Sequence, residues 1–175
     1  MPELGELSKI LKRKVGNKNY FIGKLSSDIA KKVTFVPVVE DSDTYLNQIL
    51  KDGYQRPGKK SRMNQFKKYL KEFSDRLIPP VILSARGKWN FKESEDSEIG
   101  DLLINGPAAI VDGQHRLGGI VGHFEDTETP LDFDFICFEN LTLEEEKEEF
   151  KTINGKQVGV PNALQAFLGD DENVS

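Results

Sequence analysis

Apolar residues recur at helical spacing in several segments of the chain. In "RMNQFKKYLKEF" the side chains of Met63, Phe66, Leu70 and Phe73 share one side, which predicts an amphipathic helix that Ser61 would cap. The same periodicity predicts helices over 43–53, 117–124, 143–154 and 161–169, and it allows a short helix over 7–14.

Other segments have the composition of strands. Apolar and β-branched residues dominate them, and prolines, glycines or polar turns separate them. These predicted strands are 17–25, 31–41 with an edge position or an early end at Pro37, 78–85 before a turn at Gly87, 106–113 and 131–138. The polar segment 92–101 is expected to be an exposed loop or a hairpin tip. Because strands and helices interleave, we predict an α+β (mixed α/β) fold, a small mixed sheet with flanking helices.

Length and composition favour a single globular domain. The chain has 175 residues, of which 37% are hydrophobic and 30% charged, enough for one core. No apolar run approaches the roughly 20 residues that cross a bilayer. The N-terminal segment also lacks the apolar stretch of a secretion signal, so we expect a cytoplasmic protein without a membrane partner. The single cysteine, Cys137, is expected inside a strand as a small hydrophobe.

Charge is distributed unevenly between the two halves of the chain. Residues 1–88 carry a net charge of +10 and residues 89–175 carry −15. This asymmetry indicates either an anionic partner such as DNA or attraction between the halves. The basic helix predicted over 62–73 and the loop before it supply the candidate DNA-binding residues, unless the helix lysines form an ordinary solvated side. They are Lys59, Lys60, Arg62, Lys67, Lys68 and Lys71.

The stretch "VDGQHRLGGI" places a cluster of polar residues where a predicted strand meets a predicted helix. The first N–H groups of a helix have no partner within it, and the helix dipole favours an anion there. Gly113 allows close backbone approach, Arg116 offers a two-pronged phosphate contact and His115 another donor. Gln114 could contact a sugar or a base. The alternative is a capped helix start whose His and Arg bind neighbouring backbone.

Asp112 has two possible roles beside such an anion. It could cap the helix, or it could hold a Mg²⁺ ion that bridges to a nucleotide. If the site is catalytic, Asp112, His115 and Arg116 are the candidate catalytic residues. Arg56 in the preceding loop and Asn154 at a helix end are further candidate ligand-binding residues, although a surface ion pair and a helix cap explain them equally well. The chain has neither a Walker loop nor a G-x-S-x-G elbow.

Several motifs together resemble the DGQHR-domain family. They are "DGQHR" at 112–116, "GYQRPGKKSRMNQFKKYLKE", "IPPVILSARGKW" and "FKTINGKQ", in the order and spacing of that family. The family includes DndB-like proteins of DNA phosphorothioation and DpdB-like proteins of 7-deazaguanine DNA modification, and it is similar to the ParB and sulfiredoxin fold. Sulfiredoxin has a cysteine where this chain has Gln114, so its sulfinic acid chemistry is not expected here.

The resemblance implies a DGQHR domain over 31–168, an N-terminal extension over 1–30 and a tail or truncation point over 169–175. It also implies ATP or another nucleoside triphosphate as ligand, with Gly113, His115 and Arg116 at the phosphates. The leading hypothesis is a DndB-like nucleotide-binding protein, with or without ATPase activity, that works with DNA-modification proteins or in transcriptional control. The alternatives are a DpdB-like component, a ParB-like nuclease and a nucleotide-gated DNA-binding module without turnover.

Overall fold

The computed structural model describes residues 4–38, 53–75, 77–95 and 98–155. Within these residues the chain forms eight strands and four helices. In chain order they are β1 (Gly5–Val15), β2 (Lys18–Ser26), α1 (Ser27–Val33), β3 (Thr34–Phe35), α2 (Lys60–Glu72), β4 (Val81–Ala85), β5 (Trp89–Glu93), β6 (Ile99–Ile104), β7 (Ala108–Asp112), α3 (Gln114–Thr127), β8 (Asp132–Glu139) and α4 (Leu143–Gly155). The helices predicted over 43–53 and 161–169 lie outside the described residues, apart from Gly53.

All eight strands belong to one mixed sheet with the order β3-β7-β4-β8-β2-β1-β6-β5. The pairs β3–β7 and β4–β8 are parallel, and the other neighbouring strands are antiparallel. Helices α2 and α3 pack against each other, α1 contacts α3, and α4 contacts β7. The predicted α+β class with a mixed sheet is therefore confirmed. A ParB-like or sulfiredoxin-like topology stays a prediction.

The first strand corrects the helix considered for residues 7–14. Leu7 and Ile10 are both buried, at the spacing of one helical turn, yet they lie on β1. The pairing register of β1 with β6 shifts between these residues, and Lys9 has a φ of 56°. A β-bulge inserts one extra residue, so two side chains three positions apart come to face the same side. The apolar spacing that allowed a helix in this segment therefore belongs to a bulged strand.

Strands β1 and β2 place much of the N-terminal segment within the sheet. Residues 1–30 were predicted to be an N-terminal extension, and β1 and β2 from this segment lie between β8 and β6 within the sheet. Phe21 and Leu25 on β2 are fully buried in the shared core. The predicted domain bounds themselves stay a prediction.

The start of one predicted strand and the cap of one predicted helix were wrong. Helix α1 continues to Val33, so the strand predicted from residue 31 begins at Thr34. It lies at the edge of the sheet and ends at Phe35, in keeping with the early end predicted from Pro37, which has no N–H for strand pairing; residues 39–41 lie outside the described residues. Helix α2 begins at Lys60 and Ser61 does not cap it. The backbone N–H of Lys59 instead donates to the His115 ring at 3.1 Å, so a contact distant in sequence helps to fix this turn.

Strand β8 and the start of α4 match their predictions closely. Phe133, Phe135 and Cys137 on β8 are buried, whereas Asp132 and Asp134 are exposed. Burial raises the pKa of the Cys137 thiol, as expected for an inert core cysteine. At the start of α4, the sequence T-x-x-E forms a capping box, with both reciprocal hydrogen bonds at 3.1 Å.

The two oppositely charged halves of the chain meet across the fold. Strands from both halves are neighbours in the sheet, and six ion pairs among the described residues join a cation of residues 1–88 to an acid of residues 89–175. They are Lys12–Glu139, Lys18–Glu149, Lys24–Asp132, Lys31–Glu125, Lys67–Asp126 and Arg86–Glu146. Attraction between the two halves thus accounts for part of the uneven charge distribution along the chain. None of the described helices is long and apolar enough to span a membrane.

Candidate functional site

The predicted strand-to-helix junction is present between β7 and α3. Strand β7 ends at Asp112, Gly113 turns the chain with a φ of 93°, and α3 begins at Gln114. This left-handed conformation is strained for residues with a side chain, which explains the glycine. The N–H of Leu117 makes the first helical bond, to the Gly113 carbonyl at 2.8 Å. No side chain of a described residue caps the three preceding N–H groups, so this helix end can receive an anion.

A short segment, residues 54–59, runs along this junction and is called the strap below. The Gln55 amide donates to the Ile110 carbonyl on β7. The Gln114 amide donates to the Arg56 carbonyl at 3.0 Å, and the Lys59 N–H donates to His115 Nε2 at 3.1 Å. The strap is therefore attached to the end of β7 and to the first turn of α3. Gln114 and His115 therefore hold the strap in position, and they also line the cleft described below.

The strap, the junction and the last turns of α4 enclose a cleft of about 510 Å³. This volume lies within the usual range for small-molecule sites, about 300–1,000 Å³. Described residues from four segments line it: Tyr54, Gln55, Arg56, Pro57 and Lys59 from the strap, Arg62 from α2, Val111 to Arg116 from the junction, and Phe150 and Asn154 from α4. All six predicted ligand-binding residues, which are Arg56, Gly113, Gln114, His115, Arg116 and Asn154, are thus brought to one cavity.

The charge of the cleft suits an anion. Four cationic side chains line it, and the one acid among its described lining residues is Asp112. The cations are Arg56, Lys59, Arg62 and Arg116. Burial, followed by the nearby Arg62 and Lys59, lowers the pKa of His115. A neutral His115 whose Nε2 accepts the Lys59 N–H carries its proton on Nδ1, so the ring has one donor left.

Arg116 and Asp112 form an ion pair at the base of the junction. Arg116 Nη2 lies 3.5 Å from an Asp112 carboxylate oxygen and donates to the Pro80 carbonyl at 2.9 Å. Arg116 Nε is buried without a partner in the structure. The guanidinium is thus held in place with unused donor capacity. Asp112 is not the helix cap, because Gly113 occupies that position and no side-chain cap bond forms.

Asn154 lies beside the cleft and also bonds the end of its own helix. It lines the cleft from the last turn of α4, and its Nδ2 donates to the Phe150 carbonyl at 2.8 Å. The amide oxygen is then available as an acceptor.

A buried ionic network below the strap was not predicted from the sequence. Glu146 on α4 is only 1% exposed and accepts hydrogen bonds from Arg86 Nε at 2.9 Å, Arg86 Nη2 at 2.6 Å and the Tyr54 hydroxyl at 2.8 Å. Burial alone would raise the pKa of Glu146, but the donors from Arg86, Ser84 and Tyr54 lower it overall. The network fixes the first strap residue and α4 to the end of β4.

The predicted DNA-binding residues do not form one free surface. Lys59 and Arg62 line the cleft, Lys67 pairs with Asp126 at 2.8 Å and Lys68 pairs with Glu72 at 3.7 Å. The remaining two, Lys60 and Lys71, are exposed and have no ion pair with a described residue.

Glycines in "LGGI" allow α2 to approach α3 closely. A Cβ on Gly119 would lie 2.8 Å from the Met63 carbonyl oxygen and 2.9 Å from the Lys67 nitrogen, both backbone atoms of α2. Such distances require a residue without a side chain. The close packing brings Arg62 and the start of α2 beside the junction, which connects the apolar part of the motif to the shape of the cleft.

Among the described residues, no group of three or more His, Cys, Asp or Glu side chains is placed to hold a metal ion. Asp112 remains the one carboxylate of the described cleft lining, next to the first turn of α3. A Mg²⁺ ion bound mainly through nucleotide phosphates needs one or two protein carboxylates, so this set of residues fits that mode of binding.

Fold and cleft together define an α+β protein with a cavity at a strand-to-helix turn, lined by four cationic side chains among the described residues. The family model for DndB, described as DNA-sulfur modification-associated, matches residues 16–175. The chain belongs to this family and is thereby associated with DNA sulfur modification. Neither the curated proteins nor the solved structures include a significant match to the chain.

Proposed function

We propose that the cleft binds a nucleoside triphosphate, with ATP as the expected ligand, and that nucleotide binding regulates a DndB-type protein in DNA sulfur modification or its transcriptional control. One observation carries this proposal. The uncapped start of α3 opens into a cleft of about 510 Å³ that is lined by four cationic side chains and one acid.

The junction supplies the phosphate end of the site. The free N–H groups of residues 114–116 and the helix dipole attract an anion, and Arg116 and His115 Nδ1 add donors beside them. Lys59 and Arg62 complete the positive rim. Gly113 keeps this end open, since a Cβ there would lie 3.0 Å from Arg116 Nη2.

Calorimetry with ATP, CTP and GTP tests nucleotide binding directly. Replacing Arg62 by Ala should weaken ATP binding about tenfold or more, because a hydrogen bond to a charged group contributes about 1.5–3 kcal/mol. Arg116→Ala should weaken it at least as much. Lys60→Ala is the matched control, since Lys60 lies on the same helix but does not line the cleft. Absence of triphosphate binding by the wild type would refute the proposal.

ATP hydrolysis is the finer part of the proposal. Asp112 would hold Mg²⁺ or orient the attacking water, and His115 and Arg116 would stabilise charge on the transferred phosphoryl group. Asp112→Asn should then abolish phosphate release while ATP binding persists. Binding without turnover by the wild type would instead identify a nucleotide-gated module, and nicking of plasmid DNA with Mg²⁺ would identify a nuclease.

Contact with DNA is a separate proposal that rests on α2. Lys60 and Lys71 are exposed, whereas Lys67 and Lys68 already have acidic neighbours. If α2 contacts phosphates, affinity in a gel shift should fall steeply with salt, and Lys60→Glu combined with Lys71→Glu should weaken binding to all sequences similarly. Lys92→Glu, an exposed change on β5, is the control. Affinity independent of salt would rule out this surface.

A further inference from the structure

The cleft has a second end with a different chemistry. From the cationic rim at Lys59 the strap runs back to Tyr54, whose ring packs against Phe150 of α4 with centroids 5.1 Å apart and planes inclined by 60°. Both rings are half-buried and line the same cavity as the start of α3. The cavity therefore joins a polar, cationic end to an aromatic wall.

This aromatic wall is held rigidly before any ligand arrives. The Tyr54 hydroxyl donates to Glu146 at 2.8 Å, and Arg86 holds the same carboxylate through two hydrogen bonds. The next residue, Gln55, is buried and bound to the Ile110 carbonyl. The backbone N–H groups of Tyr54 and Gln55 also donate to the Pro37 carbonyl, each at 3.0 Å. A ring fixed at its hydroxyl and at its backbone loses little freedom when a ligand stacks on it.

We infer that Tyr54 and Phe150 form the nucleobase subsite of this cleft, so that the planar base of the nucleotide stacks on the aromatic wall while its phosphates lie at the start of α3. The inference rests on the proposed nucleotide binding and adds to it the residues that hold the base. A flat ring system is the chemistry that an aromatic wall favours, since bases stack on aromatic side chains. Asn154, one helical turn beyond Phe150, places an amide at the same wall for the polar edge of the base.

The test compares two ligands that share phosphates but differ in the base: ATP and inorganic tripolyphosphate. On full-length protein, Phe150→Ala should weaken ATP binding about tenfold, because loss of base stacking costs about 1–3 kcal/mol and tenfold corresponds to about 1.4 kcal/mol. Tripolyphosphate affinity should not change. Phe150→Tyr should retain ATP affinity. Phe73→Ala, which removes an aromatic ring outside the cleft lining, should affect neither ligand.

A measurement on the wild type tests the base subsite even if the Phe150→Ala variant does not fold. The aromatic proton resonances of Tyr54 and Phe150 should shift when ATP is added and remain in place with tripolyphosphate. Equal weakening of both ligands in Phe150→Ala, or ring resonances that ATP leaves unchanged, would overturn the base subsite and leave the phosphate site intact. If neither ligand binds the wild type, the proposed function itself fails and the subsite with it.

Discussion

Replacing Glu146 by Ala should destabilise the protein strongly. The change removes the acceptor for three donors, namely Tyr54 Oη and two guanidinium nitrogens of Arg86. A buried donor without a partner costs about 1–3 kcal/mol, although the Arg86 side chain, 29% exposed, would recover some hydration. We therefore expect the free energy of unfolding to fall by about 3–5 kcal/mol, the usual cost of removing one partner of a buried ion pair.

Urea denaturation, monitored by far-ultraviolet circular dichroism, measures this change. The unfolding free energies of the wild type and Glu146→Ala should depend on urea concentration with similar slopes. Glu144→Ala on the same helix is the control, because Glu144 is 83% exposed and pairs with Lys147 at 3.6 Å. It should change stability by less than about 0.5 kcal/mol. A loss below about 1 kcal/mol in Glu146→Ala, or equal losses in both variants, would refute the view that the network supports the cleft.

The pH dependence gives a second check on Glu146. Its pKa in the folded protein lies below the ordinary value of 4.5, so the unfolded state binds the proton more readily in that range. The stabilisation is fully present above the ordinary value and is lost as the pH falls through the lowered pKa. The stability difference between the wild type and Glu146→Ala should accordingly shrink on acidification below about pH 4.5.

Three further changes test other parts of the fold. Gly113→Ala should lower the unfolding free energy by about 1–2 kcal/mol through left-handed backbone strain, and it should also weaken ATP binding. Gly16→Ala is the control, because Gly16 has a φ of 59° and nothing within 4 Å, so this change should cause the strain alone. Equal ATP affinity of the two variants would contradict a role of Gly113 in the phosphate end of the cleft. The pKa of His115 is lowered from 6.5 in the folded protein, so the unfolded state takes up the proton more readily and stability should fall as the pH falls from 6.5 to the lowered pKa. In urea titrations between pH 7 and 5, the wild type should therefore lose more unfolding free energy than His115→Gln. The same pH dependence of stability in both proteins would disprove this. Thr142→Ala should cost about 1 kcal/mol by thermal or urea unfolding through loss of the capping box, and an unchanged midpoint would show that the cap is dispensable.

Local sequence signals predicted the elements next to the site well. The glycine of the junction, the amphipathic pattern of α2 and the alternation of β8 depend on residues close in sequence, and the structure confirms them. The bulge in β1 shows the limit of this approach. An extra residue in a strand imitates helical spacing, and only pairing with β6 distinguishes the two.

The candidate site was predicted in part. The junction and Arg56 and Asn154 were singled out by residue type and resemblance, and all of them line one cleft. Tyr54 and Phe150 lie within two of the motifs that resemble the DGQHR-domain family, but neither was predicted as a site residue, because an aromatic residue in a loop or helix is usually a packing residue. Glu146 lies in an acidic run where each glutamate looks equally solvent-exposed, and only the contact with Arg86 selects it.

The sequence by itself determined the turn at 112–116, the order of most neighbouring elements and membership in a family that acts in DNA sulfur modification, because these features depend on short motifs. Tertiary structure decided which charges are buried, paired or free. Lys59 and Arg62, predicted as DNA-binding residues, line the cleft, since the strap binds the start of α3 through residues more than fifty positions away. Such contacts are set by how the sheet and helices pack, which local patterns do not encode.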